Sequence, residues 1–241
     1  MNVDLTAPAA APARTDLPFL RHRTRAAKPE RAITMSLDLT PDEPIADRRP
    51  GYQPPRIARG ERTVLTPTAP MVRLTRLQSG IGLLTFDAVW SAGTADLRLG
   101  CAYTLVGGYS SVAQQDGAHT GPMSSRNPVI LVRQQRFGRL TVDLRQSRRL
   151  VRMVVYSRTE RRHAVPRDGN LSIRTIGDAR IELPVGGAAP GSVVVLASVY
   201  TVDGELVIRS ELRSFTGSVR DACRAYGFDG ITWLDANTPA N

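Results

Sequence analysis

The sequence predicts an all-β fold, a two-sheet antiparallel β-sandwich with a short C-terminal helix, entered from a disordered N-terminal tail. Three observations lead there. From Met71 onward, short runs alternate apolar and polar residues, the two-residue period of a strand buried on one face. Turn signals, among them Ser79-Gly80, Gly107-Gly108, Gly177-Asp178 and Asp203-Gly204, separate these runs at short intervals, as in a sandwich. The first third of the chain has no periodic apolar pattern and is rich in Pro, Ala, Arg and Thr.

Residues 1–68 therefore read as a flexible tail or linker, and residues 69–235 as the sandwich domain. Proline interrupts the tail repeatedly and charges of both signs alternate along it, so it cannot bury enough apolar surface to offset the entropy of ordering. Within it, MSLDLTPDE (35–43) is a candidate weakly ordered strand or docking motif. The first strand is MVRLTRL, and IGLLTFDAVW follows after the Ser79-Gly80 turn. LRLGCAYTLVGG is a third strand, ending at its paired glycines; a polar loop then leads to the short strand VILV. RLTVDL and LVRMVVYS are strands joined across RQSRR. LSIRTI with ARIELPV, and SVVVLASVYTV with ELVIRSELRSF, form two hairpins around Gly177-Asp178 and Asp203-Gly204. SVRDACRAYG is the helix: Val219, Cys223 and Tyr226 share one face, and Gly227 stands where a helix stops.

The 241 residues carry a net charge of +10. Lys28 is the only lysine, so the excess is arginine, which makes planar two-pronged contacts to carboxylate and phosphate. Through Arg62 there are eleven Arg and Lys against eight Asp and Glu, so most of the excess falls on the predicted domain. Cys101 and Cys223 lie far apart with no Cys-x-x-Cys pair, which reads as two buried thiols in a reducing compartment. The N-terminus shows no apolar signal-peptide core and no stretch reaches the length of a membrane span, so the expected location is the cytoplasm. His22, His119 and His163 are scattered, and neither a G-x-S-x-G elbow nor a phosphate-binding glycine loop is present. The expectation is a protein that is not an enzyme. Trp90 and Trp233 read as packing residues rather than a cage for a cation.

The segment ADLRLGCAYTLVGG resembles the Asp-Leu-Asp-Leu-Gly-Cys-x-Tyr-x-Leu motif of the TerD family of tellurium-resistance and stress-response proteins. The strand ending in Trp90, then RLTVDLRQSRRLVRMVVYS, ARIELPV, VVLASVYTVDGELVIRSELRSF and the closing YGFDGITW are similar to family segments in the family's order. The resemblance covers Val72 to Trp233. It implies a β-sandwich, a stress-response role, no known catalysis, and in many members bound calcium.

Calcium needs six to eight oxygen ligands, several of them carboxylates. Here Asp96 remains as the remnant of the calcium motif, whereas Arg98 takes the second acidic position. Arg139, in VRQQRFGR, stands where the family's downstream glutamate would be. An arginine cannot ligate a metal and repels one nearby. The expectation is that calcium binding is lost and no cofactor is held. A sharper expectation is that Arg98 or Arg139 stands in for the cation by pairing with Asp96 and Asp87. The dense basic runs supply candidate anion- or partner-binding residues: Arg145, Arg148, Arg149, Arg161 and Arg162. The partner expected is a protein, an acidic paralogous TerD-like protein among the candidates. The alternative is a basic anion- or nucleic-acid-binding module, for which phosphate neutralisation is available but interleaved aromatics are scarce.

Overall fold

The computed structural model describes residues 54–90, 97–123, 125–134, 138–159, 169–186 and 191–240. The tail up to residue 53, with its candidate docking motif, lies outside the described residues.

Two seven-stranded sheets face each other. The first, sheet A, runs in the order β1 (Arg56–Ile57), β3 (Met71–Leu74), β14 (Glu205–Phe215), β13 (Val193–Val202), β10 (Leu150–Arg158), β5 (Arg98–Leu105) and β6 (Ser110–Gln114). The second, sheet B, runs β2 (Arg62–Val64), β12 (Arg180–Pro184), β11 (Gly169–Arg174), β4 (Leu83–Trp90), β9 (Gly138–Asp143), β8 (Ile130–Gln134) and β7 (Thr120–Gly121). Both predicted hairpins are present, as β11–β12 and β13–β14. β9 and β10, joined across RQSRR, belong to different sheets, and residues Leu144–Arg149 between them form a 3-10 turn.

The antiparallel pattern holds except at two edges. β1 pairs with β3, and β2 with β12, in parallel, which makes both sheets mixed. These two short strands fall in the segment expected to be tail, so the ordered sandwich takes in residues 56–64 as well. Two and three residues are too few for a periodic signal, and their partners lie far along the chain. β7 falls within the predicted polar loop, and β6 in a stretch with no predicted element, for a related reason: β6 is Ser-Ser-Val-Ala-Gln, whose place is set by pairing with β5 rather than by apolar content.

Alternation decides which side chains meet. Leu99, Cys101, Tyr103 and Leu105 of β5 point into the core, as do Leu84, Phe86 and Ala88 of β4 and Leu171 and Ile173 of β11. Sheet A has a second covered face. There Ala102, Val154, Tyr156, Val193 and Val195 pack under α1 (Val219–Ala225) through Val219, Ala222 and Cys223, with Phe228 and Ile231 beyond it. Ser218 and Asp221 close a reciprocal capping box at the start of α1, and Gly227 leaves its end at φ +73°. Arg152 of β10 donates to the carbonyls of Tyr226 (3.1 Å) and Gly227 and lies 4.4 Å from the Phe228 ring centroid, fastening the end of the helix to the sheet. Trp90 and Trp233 are partly buried against the two clusters. Among the described residues no helix is long and apolar enough to cross a membrane.

Candidate functional site

The outer face of sheet B carries charge in rows. Strand register sets Glu182, Ser172, Asp87, Arg139 and Arg133 side by side across β12, β11, β4, β9 and β8. In the next row Arg180 and Arg174 are neighbours, with Arg62 of β2 beside Arg180. The residues between these rows, Ile181, Ile173, Phe86 and Leu140, face the core, so the charged rows face outward.

Asp87 is the centre of this face. Its side chain is only 6% exposed, against 30% for Arg139. Arg139 grips it with two prongs, Nε to Oδ1 at 2.6 Å and Nη2 to Oδ2 at 3.2 Å, while Arg174 donates to the same Oδ2. Such charge-assisted pairs are the stronger hydrogen bonds of proteins. The hydrogen bond to Asp87 pushes the Arg139 pKa above that of a free arginine, against the opposing pull of desolvation. Glu182 repeats the pattern between Arg62 (2.6 Å) and Arg180 (2.7 Å). Asp87 and Glu182 are thus each shared by two guanidiniums.

Arg98 behaves differently from Arg139. It faces Asp116 at 3.7 Å, with both side chains partly exposed, and Asp116 is held more closely by Arg158 at 2.6 Å. The two arginines therefore answer different carboxylates. Asp96 lies outside the described residues. Nearby, the side chain of Gln115 accepts from the Leu99 N–H (3.0 Å) and donates to the Arg133 carbonyl (3.1 Å), joining sheet A to sheet B. Asp116, Arg158, Arg174 and Gln115 were not singled out in the sequence. Their partners are fixed by register and by the sandwich end, which no local pattern reports.

At one end of the sandwich, the β3–β4 connection and the 3-10 turn enclose a cleft of about 400 Å³. Arg145 and Arg148 line it, as the basic run suggested, together with Arg76, which the sequence reading passed over. Arg149 is not among the lining residues and donates to Gln146 Oε1 at 2.7 Å. Arg161 and Arg162 lie outside the described residues. Arg145 is held two-pronged by Asp143, at 2.9 and 3.0 Å, and this pair draws the Asp143 carboxyl below its usual range against the effect of burial. A second hollow of about 510 Å³ borders Leu83, Ile176, Arg174 and Arg180.

Among the described residues no three of His, Cys, Asp and Glu converge as metal ligands. Cys101 and Cys223 are unpaired and buried; burial pushes the Cys223 thiol up to about 12 and Cys101 higher still.

No family model matches this chain, and no curated protein matches it. Among solved structures it is similar to a protein of unknown function, SAV2460, at 20% identity and a TM-score of 0.43, over 57% of this chain and 91% of that one. It is also similar to a homologue of telluride resistance protein (TerD), SCO6318, from Streptomyces coelicolor A3(2), at 14% identity and a TM-score of 0.41, over 56% of this chain and 91% of that one.

Proposed function

We propose that this chain is a non-enzymatic, TerD-like binding or scaffold protein of a stress response, in which arginines hold the place that calcium takes in many family members. The observation that carries this reading is Asp87 gripped by Arg139 and Arg174. A carboxylate already saturated by two guanidiniums is a poor ligand, and a divalent cation placed there meets two fixed like charges. The described residues do not fit a calcium ion at this position. The motif order along the sequence supports the family, and the absence of a catalytic motif supports a binding role. The outer face of sheet B, with Arg62, Arg133, Arg139, Arg174 and Arg180 against Asp87 and Glu182, suits an acidic protein partner, and electrostatic complementarity would steer that encounter.

Calorimetric titration of the metal-stripped full-length protein with calcium tests the reading. The expected result is no saturable heat and an unchanged melting temperature at millimolar concentration. Saturable binding near the micromolar range would overturn it. The arginines are tested by melting. Removing Arg139 leaves a buried carboxylate with one partner, so Arg139→Ala costs about 1–2 kcal/mol, roughly 3–6 °C for a domain of this size. Arg98→Ala breaks only a long, partly exposed pair and costs less than about 0.5 kcal/mol. Equal melting of Arg139→Ala and the wild type would sink the idea that arginine replaces the cation.

A further inference from the structure

We propose that the cleft between the β3–β4 connection and the 3-10 turn is a binding site for a small condensed-phosphate or other multiply phosphorylated anion. The inference goes beyond the calcium reading and does not depend on it, because its residues lie apart from Asp87 and Arg139.

The first argument is unmatched charge. Many of the described arginines are spent on carboxylates: Asp87, Glu182 and Asp116 each serve two, and Glu205 is shared by Arg56 and Arg73. Arg76 and Arg148 are not among these. They line one cleft together and have no ion pair or hydrogen bond among the described residues. Arg145 adds a third guanidinium, oriented by its pair with Asp143, which leaves one of its nitrogens uncommitted. Three arginines against one aspartate leave a local excess of positive charge suited to a multivalent anion.

The second argument is the rigidity of the walls. The Leu144 N–H donates to the Gly82 carbonyl (2.9 Å), tying the two connections to each other. The Leu206 N–H donates to Ser79 Oγ (2.9 Å) and Thr201 Oγ1 to the Leu150 carbonyl (3.0 Å), tying both to the β13–β14 hairpin. Asp143 caps the turn that presents Arg145 and Arg148. A ligand entering such a frame has only the arginine side chains to order, which keeps the cost of binding low. Ser79 and Thr201 are committed to this frame, whereas the Ser147 hydroxyl, also lining the cleft, has no hydrogen-bond partner among the described residues.

The third argument is shape and composition. A volume of about 400 Å³ holds a small molecule but not a polymer helix. No aromatic residue lines the cleft, so a base would find nothing to stack on. The phosphates themselves are what the site recognises.

The experiment is a calorimetric titration of the full-length protein with inorganic tripolyphosphate, in calcium-free buffer at physiological ionic strength. The expected result is saturable binding that Arg76→Ala and Arg148→Ala each weaken by about tenfold, as loss of a charged hydrogen-bonding partner does. Arg149→Ala removes the same charge one residue away, outside the cleft, and should change affinity less than about twofold by screened electrostatics. No saturation would overturn the proposal. So would equal weakening by Arg149→Ala, which would show diffuse attraction to a chain of net charge +10. Since Arg76 and Arg148 have no ion pair or side-chain hydrogen bond among the described residues, both variants should melt with the wild type. If one does not, the other decides.

Discussion

A methyl group at Gly100 would sit 2.7 Å from the ring of Tyr156, its partner across β5 and β10. That ring lies over the glycine and its hydroxyl donates to Gln114 Oε1 at 3.0 Å, all under α1. The glycine of the Leu-Gly-Cys segment is therefore a matter of space, while its neighbours Cys101 and Tyr103 point into the opposite, inter-sheet core. Gly100→Ala should destabilise the protein by about 1–3 kcal/mol through overpacking. A urea melt unchanged by the substitution would show that the ring has room to move. The motif itself was readable from the chain, but what it packs against was not, because Tyr156 comes from a strand more than fifty residues later. The arginine substitutions divide the same way. Arg139 was identifiable as a change from the family pattern; its partner became visible only with the register that puts Asp87 opposite it.

At the scale of the element, the 3-10 turn shows how one side chain organises a crossing between sheets. Asp143 accepts the Arg145 N–H at 3.1 Å, grips the Arg145 guanidinium and receives the Gln146 amide at 3.1 Å. The Arg145 hydrogen bond is the main cause of its lowered pKa. A carboxylate whose folded pKa is depressed stabilises the protein above the unfolded value of about 3.9, and that stability is lost as pH falls through the folded value. Wild type should therefore lose more stability than Asp143→Asn between about pH 4 and pH 2, in urea melts taken across that range. A steeper loss in the variant would contradict the pairing. The helix was legible to within a residue because its signals are local: a capping serine, a three- and four-residue apolar spacing and a terminal glycine. The edge strands β1 and β2 were not, since parallel pairing with β3 and β12 is a property of the assembled sheet.

For the whole molecule, the two sheets share one core but not one environment. Sheet A is apolar on the side that faces sheet B and, around Ala102, Val154, Tyr156, Val193 and Val195, apolar also on the other, under α1 and the C-terminal segment, while its β1–β3–β14 side carries Arg56, Arg73 and Glu205. Sheet B is apolar inside and covered outside by paired arginines and carboxylates. This asymmetry follows from β10 and β13, where consecutive buried residues replace clean alternation, each strand carrying a register shift, at Val155/Tyr156 and Val195/Ala197. The chain reveals it only as long apolar runs, LVRMVVYS and SVVVLASVYTV, which by themselves do not say what covers the second face.

The double covering of sheet A has a kinetic counterpart. Amide protons in β10 and β13, shielded on both sides, can trade with deuterium only when the whole domain opens. Those of the edge strands β2 and β7 need only local fraying, so they should trade earlier. Mass spectrometry of the labelled protein should then separate β10 and β13 as the last segments to gain mass. In those strands, the rate of labelling measures how rarely the entire molecule comes apart.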